Sequence, residues 1–386
     1  MEVGAQKLSE KIRVAILTSG GDAPGMNAAI RAVVKGARTS AADVIAIRNG
    51  GLGLVRDALV PPDYVPLTDE SVTAIIDRSG TILKTSREDE ILAYLKAEND
   101  AVDPTGSSGD LLFNVKTMLA ERAIRAMRAH VIDGLLLIGG DNTAAAAMVL
   151  AEASDWRLPI VVIPATIDND VPGTYESVGF DSAVAFAVQM VDAIRASAMS
   201  HGRLFIVEVM GRNQGNIALE VALACGVDEV LIPEERYSAS DLDRMAQRLL
   251  AARARGHESA LIVVAEGVDS QRWVIHRSAG HPSPGLDLEA ALKDRLGGWE
   301  VRTSILGHTQ RGAPPTPATR NLAARLGLKA IDEIVRDIRS SAVGPAKLVG
   351  VDRAGRVIVG LVNAASTPST ERKNADVVRL VRRLAY

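Results

Sequence analysis

The stretch Val14-Ala15-Ile16-Leu17-Thr18-Ser19-Gly20-Gly21-Asp22-Ala23-Pro24-Gly25-Met26-Asn27 decides how this chain is read. The apolar run at 14–17 is too short for a helix and suits a buried strand. Glycines and a proline then end it, and apolar residues return at helical spacing over 26–37. Strand, glycine turn and helix make half of a βαβ unit, and the pattern recurs outward from here. Residues 44–47 read as the next strand, and 135–138 as another, followed by Gly139-Gly140-Asp141 and an Ala-rich helix to Ala153. Further strands are expected at 160–163, 204–209, 261–265 and 304–306. Helices are expected at 113–128, 182–196, 241–254 and 317–336, the first with a basic outer face of Lys116, Arg122, Arg125 and Arg128. Strands alternating with helices predict an α/β protein with a mostly parallel sheet. The polar, turn-rich stretch 97–110 reads as a surface insertion, either a plain loop or a lid. No internal repeat and no Pro/Ser-rich linker divides the chain.

Composition narrows the function. With 47% hydrophobic and 24% charged residues, the chain has the balance of a soluble globular protein. At 386 residues it can bury a core large enough to fold without a metal or disulfide staple. Aromatics are only 3%, so packing rests on Ala, Val, Leu and Ile. A formal net charge of −3 gives no reason to expect nucleic acid or an anionic membrane as partner, so any anionic ligand must be held by local basic clusters. Cys225 is the single cysteine, which rules out an intrachain disulfide and suits a reducing compartment. The N-terminal MEVGAQKLSEK lacks the apolar core of a signal peptide, and no apolar run is long enough to span a membrane. A cytoplasmic location is expected.

In open α/β sheets, ligands bind beyond the carboxyl ends of strands, so the residues just after each strand carry the chemistry. The glycines at 20 and 21, opening a helix, suit a phosphate, although they match neither a Walker A nor a GxGxxG spacing. The missing GxGxxG argues against a dinucleotide-dependent dehydrogenase. Gly139-Gly140-Asp141-Asn142-Thr143 again enters a helix, and Asp141 reads equally as a helix cap or as a ligand for phosphate-bound Mg²⁺. Thr166, Asp168 and Asp170 would share one face of an extended segment, where a carboxylate can take a proton from a substrate hydroxyl; the plain alternative is an Asx-turn loop. Arg212 and Arg311 lie beside glycines just past expected strands, and guanidinium groups suit bidentate phosphate recognition. His308 reads either as a further phosphate contact or as a structural histidine. Together these loops describe a small-molecule phosphotransferase.

The motifs GGDAPGMN (20–27), GGDNT (139–143), TIDND (166–170), EVMGR (208–212) and GHTQRG (307–312), in that order, resemble the phosphofructokinase family from Lys11 to about Ala365. The resemblance implies two Rossmann-like three-layer α/β/α lobes with mostly parallel sheets and an active site in the cleft between them. Residues 11–165 would bind the phosphoryl donor and 166–340 the sugar phosphate, with 341–386 returning to the first lobe. It implies transfer of a phosphoryl group to the 1-hydroxyl of fructose 6-phosphate, with Mg²⁺ bound by Asp141. Asp168 would be the general base, Thr166 and Asp170 would position sugar and phosphate, and Arg212 would stabilise the transferring group. Met210, Gly211 and Glu266 would contact the sugar, and His308 and Arg311 its 6-phosphate. Arg203 and Arg302 match positions that the family supplies from a neighbouring subunit, so a homotetramer or homodimer is implied. Gly21, Arg87, Gly140, Asn142 and Thr143 would face the donor, and Lys84, in a loop where many relatives have glycine, would supply positive charge to either donor.

Some positions depart from the family pattern. ATP users resemble GGDGS and PGTIDND, and diphosphate users GGDD and PKTIDND; Asn142 and Ala165 match neither. Gly51 and Ala146 also depart from the usual adenosine pocket. ATP is the expected donor because Ala165 carries no charge for compact diphosphate, and diphosphate is the alternative. Arg31, Lys35 and Arg195 fit the family's basic effector cluster, but Ala58, His257 and Glu258 remove much of its positive charge, and Asp228 stands where the family has a glutamate. Weak control by ADP and phosphoenolpyruvate is expected. A catalytically silent sugar-phosphate-binding relative is the reading from another class, and it would show as loss of Asp168, Asp141 or Arg212, all present here. Another sugar phosphate, such as sedoheptulose 7-phosphate, remains open as acceptor.

Overall fold

In the computed structural model, residues 11–56, 63–87, 89–91, 93–94, 108–271, 273, 283–342, 344–362 and 370–385 are described. The opening motif folds as expected. β1 (Ile12–Ser19) leads through the glycine turn into α1 (Met26–Ala37). Gly25 caps that helix with φ 93, and a Cβ there would lie 2.4 Å from the Thr319 methyl, so the turn admits only glycine.

The chain forms two units. The first runs to Thr166, takes up Asp170–Gly179 and resumes at Pro314. Its strands are β1, β2 (Ala42–Ile47), β3 (Tyr64–Leu67), β4 (Gly134–Gly139), β5 (Ile160–Thr166), β6 (Val178–Gly179), β11 (Lys347–Val351) and β12 (Val357–Leu361). Their order is β12-β11-β5-β4-β1-β2-β3, with β6 beside the end of β5. Among the described residues only the edge strands β3 and β12 run antiparallel to their neighbours. All six residues of β4 are buried, as a central parallel strand covered on both faces requires. On one face Ala15, Leu17, Leu135, Leu137 and Val162 pack with Ala123 and Met127 of α4 (Ser108–Ala129) and Ala147 and Ala151 of α5 (Asp141–Ala153). On the other, a Cβ at Gly134 would meet Ile334 and Ile338 of α10 (Pro317–Arg339), which also packs along α1. Each wholly buried Leu or Ile stabilises the unit by ~1.5–3 kcal/mol, so a charge at Leu136 would break it. Two short helices, α2 (Gly50–Val55) and α3 (Asp69–Val72), complete this unit.

The second unit comprises Ile167–Asn169, Phe180–Ala313 and the C-terminal helix. Among the described residues its strands are β7 (Leu204–Val209), β8 (Glu229–Leu231), β9 (Ala260–Ala265) and β10 (Val301–Ile305), all parallel, in the order β10-β7-β9-β8. Around them lie α6 (Phe180–His201), α7 (Asn216–Cys225), α8 (Ala239–Ala254), α9 (Pro284–Lys293) and α11 (Thr370–Ala385). α11 buries Val378 and Val381 against α7 and β8, and Arg382 pairs with Glu229 at 3.4 Å and Glu235 at 3.6 Å. β11 and β12 therefore join the first unit, whereas α11 belongs to the second.

Several expectations shift. The strand expected at 304–306 is Val301–Ile305, and the helix expected at 113–128 begins at Ser108. Of the insertion at 97–110, residues 108–110 are helical and the rest lie outside the described residues, as does Ala58. Arg125 and Arg128 are exposed, as a basic outer face requires, and Arg122 is half-buried. β3, β8, β11, β12, α7, α9 and α11 were not expected from the sequence. β3 carries Pro66, which suits only an edge strand. Among the described residues no helix is long and apolar enough to cross a membrane.

Candidate active site

In the first unit, three loops meet beyond the carboxyl ends of β1, β4 and β5. Gly20 donates its N–H to Ser86 O at 3.1 Å, and Thr85 Oγ1 donates to Gly20 O at 2.8 Å. Thr143 Oγ1 donates to Ser19 O at 3.2 Å. A Cβ at Gly140 would stand 3.5 Å from Thr166 Cβ. Gly20, Thr85, Ser86, Gly140, Thr143 and Thr166 thus lie together, with Gly21, Arg87, Asp141 and Asn142 adjoining them in the chain. Thr143 and Thr166 are buried, Gly21, Gly140 and Asp141 half-buried, and Asn142 and Arg87 exposed.

Asp141 is not the helix cap. Gly140 holds that position without a side-chain cap bond, and Asp141 sits in the first turn of α5. One carboxylate at a helix start, beside glycines, fits a Mg²⁺ held mainly by ligand phosphates. Among the described residues no group of three or more His, Cys, Asp or Glu could hold a metal ion.

Lys84 has a left-handed backbone, φ 58, and its carbonyl accepts from Thr18 Oγ1 at 2.8 Å. That conformation explains why glycine suits this place, and it leaves the lysine side chain exposed. Ala165 is wholly buried in β5 opposite Val178, so no charge stands directly before Thr166. A Cβ at Gly51 would lie 2.8 Å from Ile91 Cδ1, so isoleucine fills the space over that glycine.

The segment 166–170 is not one extended face. β5 stops at Thr166, Ile167 and Asp168 form a bend, and Asn169 is left-handed with φ 53. Thr166 and Asp170 group with the first unit and Asp168 with the second. Asp168 is buried, with 6% of its surface exposed.

In the second unit, β7, β9 and β10 end side by side, with Val209 opposite Ala265 and Glu208 opposite Ile305. Met210, Gly211, Arg212, Glu266, His308 and Arg311 all follow those ends. Glu266 Oε1 accepts the backbone N–H of Gly211 at 3.2 Å and that of Arg212 at 2.8 Å. It thereby holds a turn in which Gly211 has φ 137 and Arg212 φ 54. A Cβ at Gly211 would meet Gln214 O at 2.5 Å, so the turn depends on glycine there. His308 lies in a 3-10 helix, Gly307–Gln310, and Arg311 closes it by donating its N–H to His308 O at 3.1 Å. His308 is exposed and Arg311 half-buried.

Arg203 and Arg302 are not brought to that edge. Arg203 precedes β7 and Arg302 is the second residue of β10, so both stand at the amino ends of the strands. A six-residue strand separates Arg203 from Met210 by ~20 Å. The two arginines share Glu300, at 2.7 Å from Arg203 and 2.5 Å from Arg302, and the pairing holds the Glu300 carboxyl below its ordinary range.

Sequence reading missed the supports beneath this edge. Glu208, buried and two residues before Met210, accepts from Ser283 Oγ at 2.6 Å and Gly285 N–H at 2.9 Å, while burial pushes its carboxyl up. Asn216 reaches back to the carbonyls of Asp168 and Asn169. Only its place four residues after Arg212 hinted at it.

A sequence profile described as phosphofructokinase matches residues 13–334. The chain belongs to the phosphofructokinase family. Over 332 residues it is 40% identical to ATP-dependent 6-phosphofructokinase 1 of Thermus thermophilus, covering 86% of this chain and 89% of that one. It is 41% identical to ATP-dependent 6-phosphofructokinase of Lysinibacillus sphaericus over the same shares. Phosphofructokinase of Saccharomyces cerevisiae aligns with a TM-score of 0.75 at 28% identity, over 97% of this chain and 48% of the yeast chain, so this chain spans about half its length. Pyrophosphate-dependent phosphofructokinase of Marinobacter aquaeolei shares the fold, with a TM-score of 0.71 at 21% identity over 93% and 84% of the two chains. The structure shows what engages Lys35, Arg195 and Asp228, three of the positions compared above with the effector cluster. Lys35 is paired with Asp69 at 3.1 Å, Arg195 donates to the Cys225 carbonyl, and Asp228 accepts from Leu261 N–H at 2.8 Å. These groups are engaged within the chain.

Proposed function

We propose that this chain transfers the terminal phosphoryl group of ATP to the 1-hydroxyl of fructose 6-phosphate, giving fructose 1,6-bisphosphate and ADP. The observation that carries the reading is likeness over most of the chain to enzymes named ATP-dependent 6-phosphofructokinase. The buried, uncharged Ala165 supports ATP over diphosphate, since a compact, highly charged donor without adenosine contacts needs added positive charge.

Asp168 accepts the proton of the 1-hydroxyl, whose oxygen forms a bond to the terminal phosphorus as the bond to the bridging oxygen breaks. Arg212 balances charge on the transferring group, and Thr166 and Asp170 orient it. Asp141 would hold Mg²⁺, which supplies charge neutralisation to the donor phosphates. Gly21, Lys84, Arg87, Gly140, Asn142 and Thr143 bind the donor. Met210, Gly211 and Glu266 bind the sugar, and His308 and Arg311 its 6-phosphate. Arg203 and Arg302 serve the site of a neighbouring copy in a homo-oligomer, which accounts for their distance from the Met210–Arg212 turn.

The test compares kcat/KM for MgATP and Mg-diphosphate in one preparation, with fructose 6-phosphate as acceptor. A preference above about tenfold for diphosphate overturns the donor assignment, and loss of that activity in Lys84→Ala would locate the compensating charge. Asp168→Asn should lower kcat by roughly 10²–10⁴-fold; a variant within about threefold of wild type removes Asp168 as the base.

A further inference from the structure

Two successive carbonyls, those of Asp168 and Asn169, converge on one side chain. Asn216 Nδ2 lies 2.9 Å from the Asp168 oxygen and 3.4 Å from the Asn169 oxygen. The receiving backbone is an irregular bend, with Asn169 left-handed at φ 53. The bend follows directly on the end of β5, and the Asn216 amide bonds two of its carbonyls. The donating side is fixed. Asn216 is the first residue of α7, Gly215 N–H donates to Glu234 Oε1 at 2.9 Å, and Ile217, Ala218, Val221 and Ala222 are wholly buried. A terminal amide carries two N–H donors, enough for both carbonyls, whereas an ionised carboxylate of the same shape has none. The helix that carries Asn216 begins just after the turn holding Arg212, so one rigid element indexes the Asp168 bend and follows the Arg212 turn.

We propose that Asn216 is a positioning residue for the phosphoryl transfer: it fixes the 168–169 peptide, and through it the direction of the Asp168 carboxylate, without touching substrate. The inference rests on Asp168 being the base. Misplacing a reacting group by about 1 Å costs ~10²-fold in rate, while substrate contacts made by other residues are left intact.

The experiment measures kcat, the KM for fructose 6-phosphate, the KM for MgATP and the thermal midpoint for Asn216→Ala, Asn216→Asp and Asn216→Gln, alone and in Asp168→Asn. Asn216→Ala and Asn216→Asp should each lower kcat by about 10- to 100-fold, with both KM values within about twofold. Asn216→Gln, which keeps the donors on a longer arm, should recover part of the loss. In the Asp168→Asn background, Asn216→Ala should change kcat by less than about twofold, because nothing is left to aim. If Asp168→Asn is impaired but a folded Asn216→Ala or Asn216→Asp keeps wild-type kcat, the positioning role is wrong and the base assignment stands. The positioning role fails equally if the two losses multiply, or if only a KM moves. If Asp168→Asn retains full activity, the base assignment fails and the inference falls with it.

Discussion

Replacing Glu266 with alanine tests how far the arginine turn depends on one carboxylate. Its Oε1 accepts N–H bonds from Gly211 at 3.2 Å and Arg212 at 2.8 Å. The turn it holds is unfavourable by itself, since a side-chain-bearing residue at φ 54 costs ~1–2 kcal/mol relative to right-handed backbone. A hydrogen bond to an ionised acceptor contributes ~1.5–3 kcal/mol. The longer second bond shares the same oxygen and adds little, so the alanine variant should lose ~2–3 kcal/mol of support for the turn. If that support is all expressed in the transition state, kcat/KM for fructose 6-phosphate falls by about 30- to 160-fold. Glu266→Gln keeps an acceptor oxygen without the charge and should lose about half as much free energy. The assay is initial-rate formation of fructose 1,6-bisphosphate, with sugar and MgATP varied in turn. A residue that only binds sugar hydroxyls would raise the sugar KM and leave kcat alone. Support of the Arg212 turn must lower kcat as well. Glu266→Ala with kcat within about threefold of wild type would refute the argument from the turn.

Lys84→Gly should relieve a left-handed lysine backbone at φ 58, raising stability by up to ~1 kcal/mol while raising the donor KM; a lower thermal midpoint would contradict the strain. Burial pushes the Glu208 carboxyl up, so the native chain holds that proton more tightly than the unfolded chain. The stability it contributes is complete below the ordinary glutamate range and is lost as pH rises through the raised value. Glu208→Gln should therefore show a flatter denaturation midpoint from about pH 4 to pH 7, and an unchanged slope would count against it. Burial, aided by Asp192, pushes the Cys225 thiol up to about 11, so the folded protein should react with iodoacetamide at pH 8 far more slowly than the unfolded chain; equal rates would show the thiol is not protected.

Local chemistry determined much of this protein without any coordinates. The run at 14–17, the glycine turn and the periodic 26–37 segment decided a strand–turn–helix unit, because period and turn residues act over a few neighbours. The same reasoning placed Gly139-Gly140-Asp141, Met210-Gly211-Arg212 and Gly307–Gln310 beyond strand ends, where ligands bind. It did not decide which residues hold those loops in shape. Thr18 meets Lys84 across 66 residues, Asn216 meets Asp168 across 48, and Glu266 meets Arg212 across 54, and no pattern within a window of sequence records such pairs. The short edge strands Tyr64–Leu67 and Val357–Leu361 escaped for the same reason, since what makes them strands is a neighbour to pair with. The left-handed backbones at Asn169 and Arg212 also escaped. Asparagine tolerates that region, but arginine does not favour it, and the Arg212 turn is held by the Glu266 carboxylate from 54 residues away, which only the folded structure supplies.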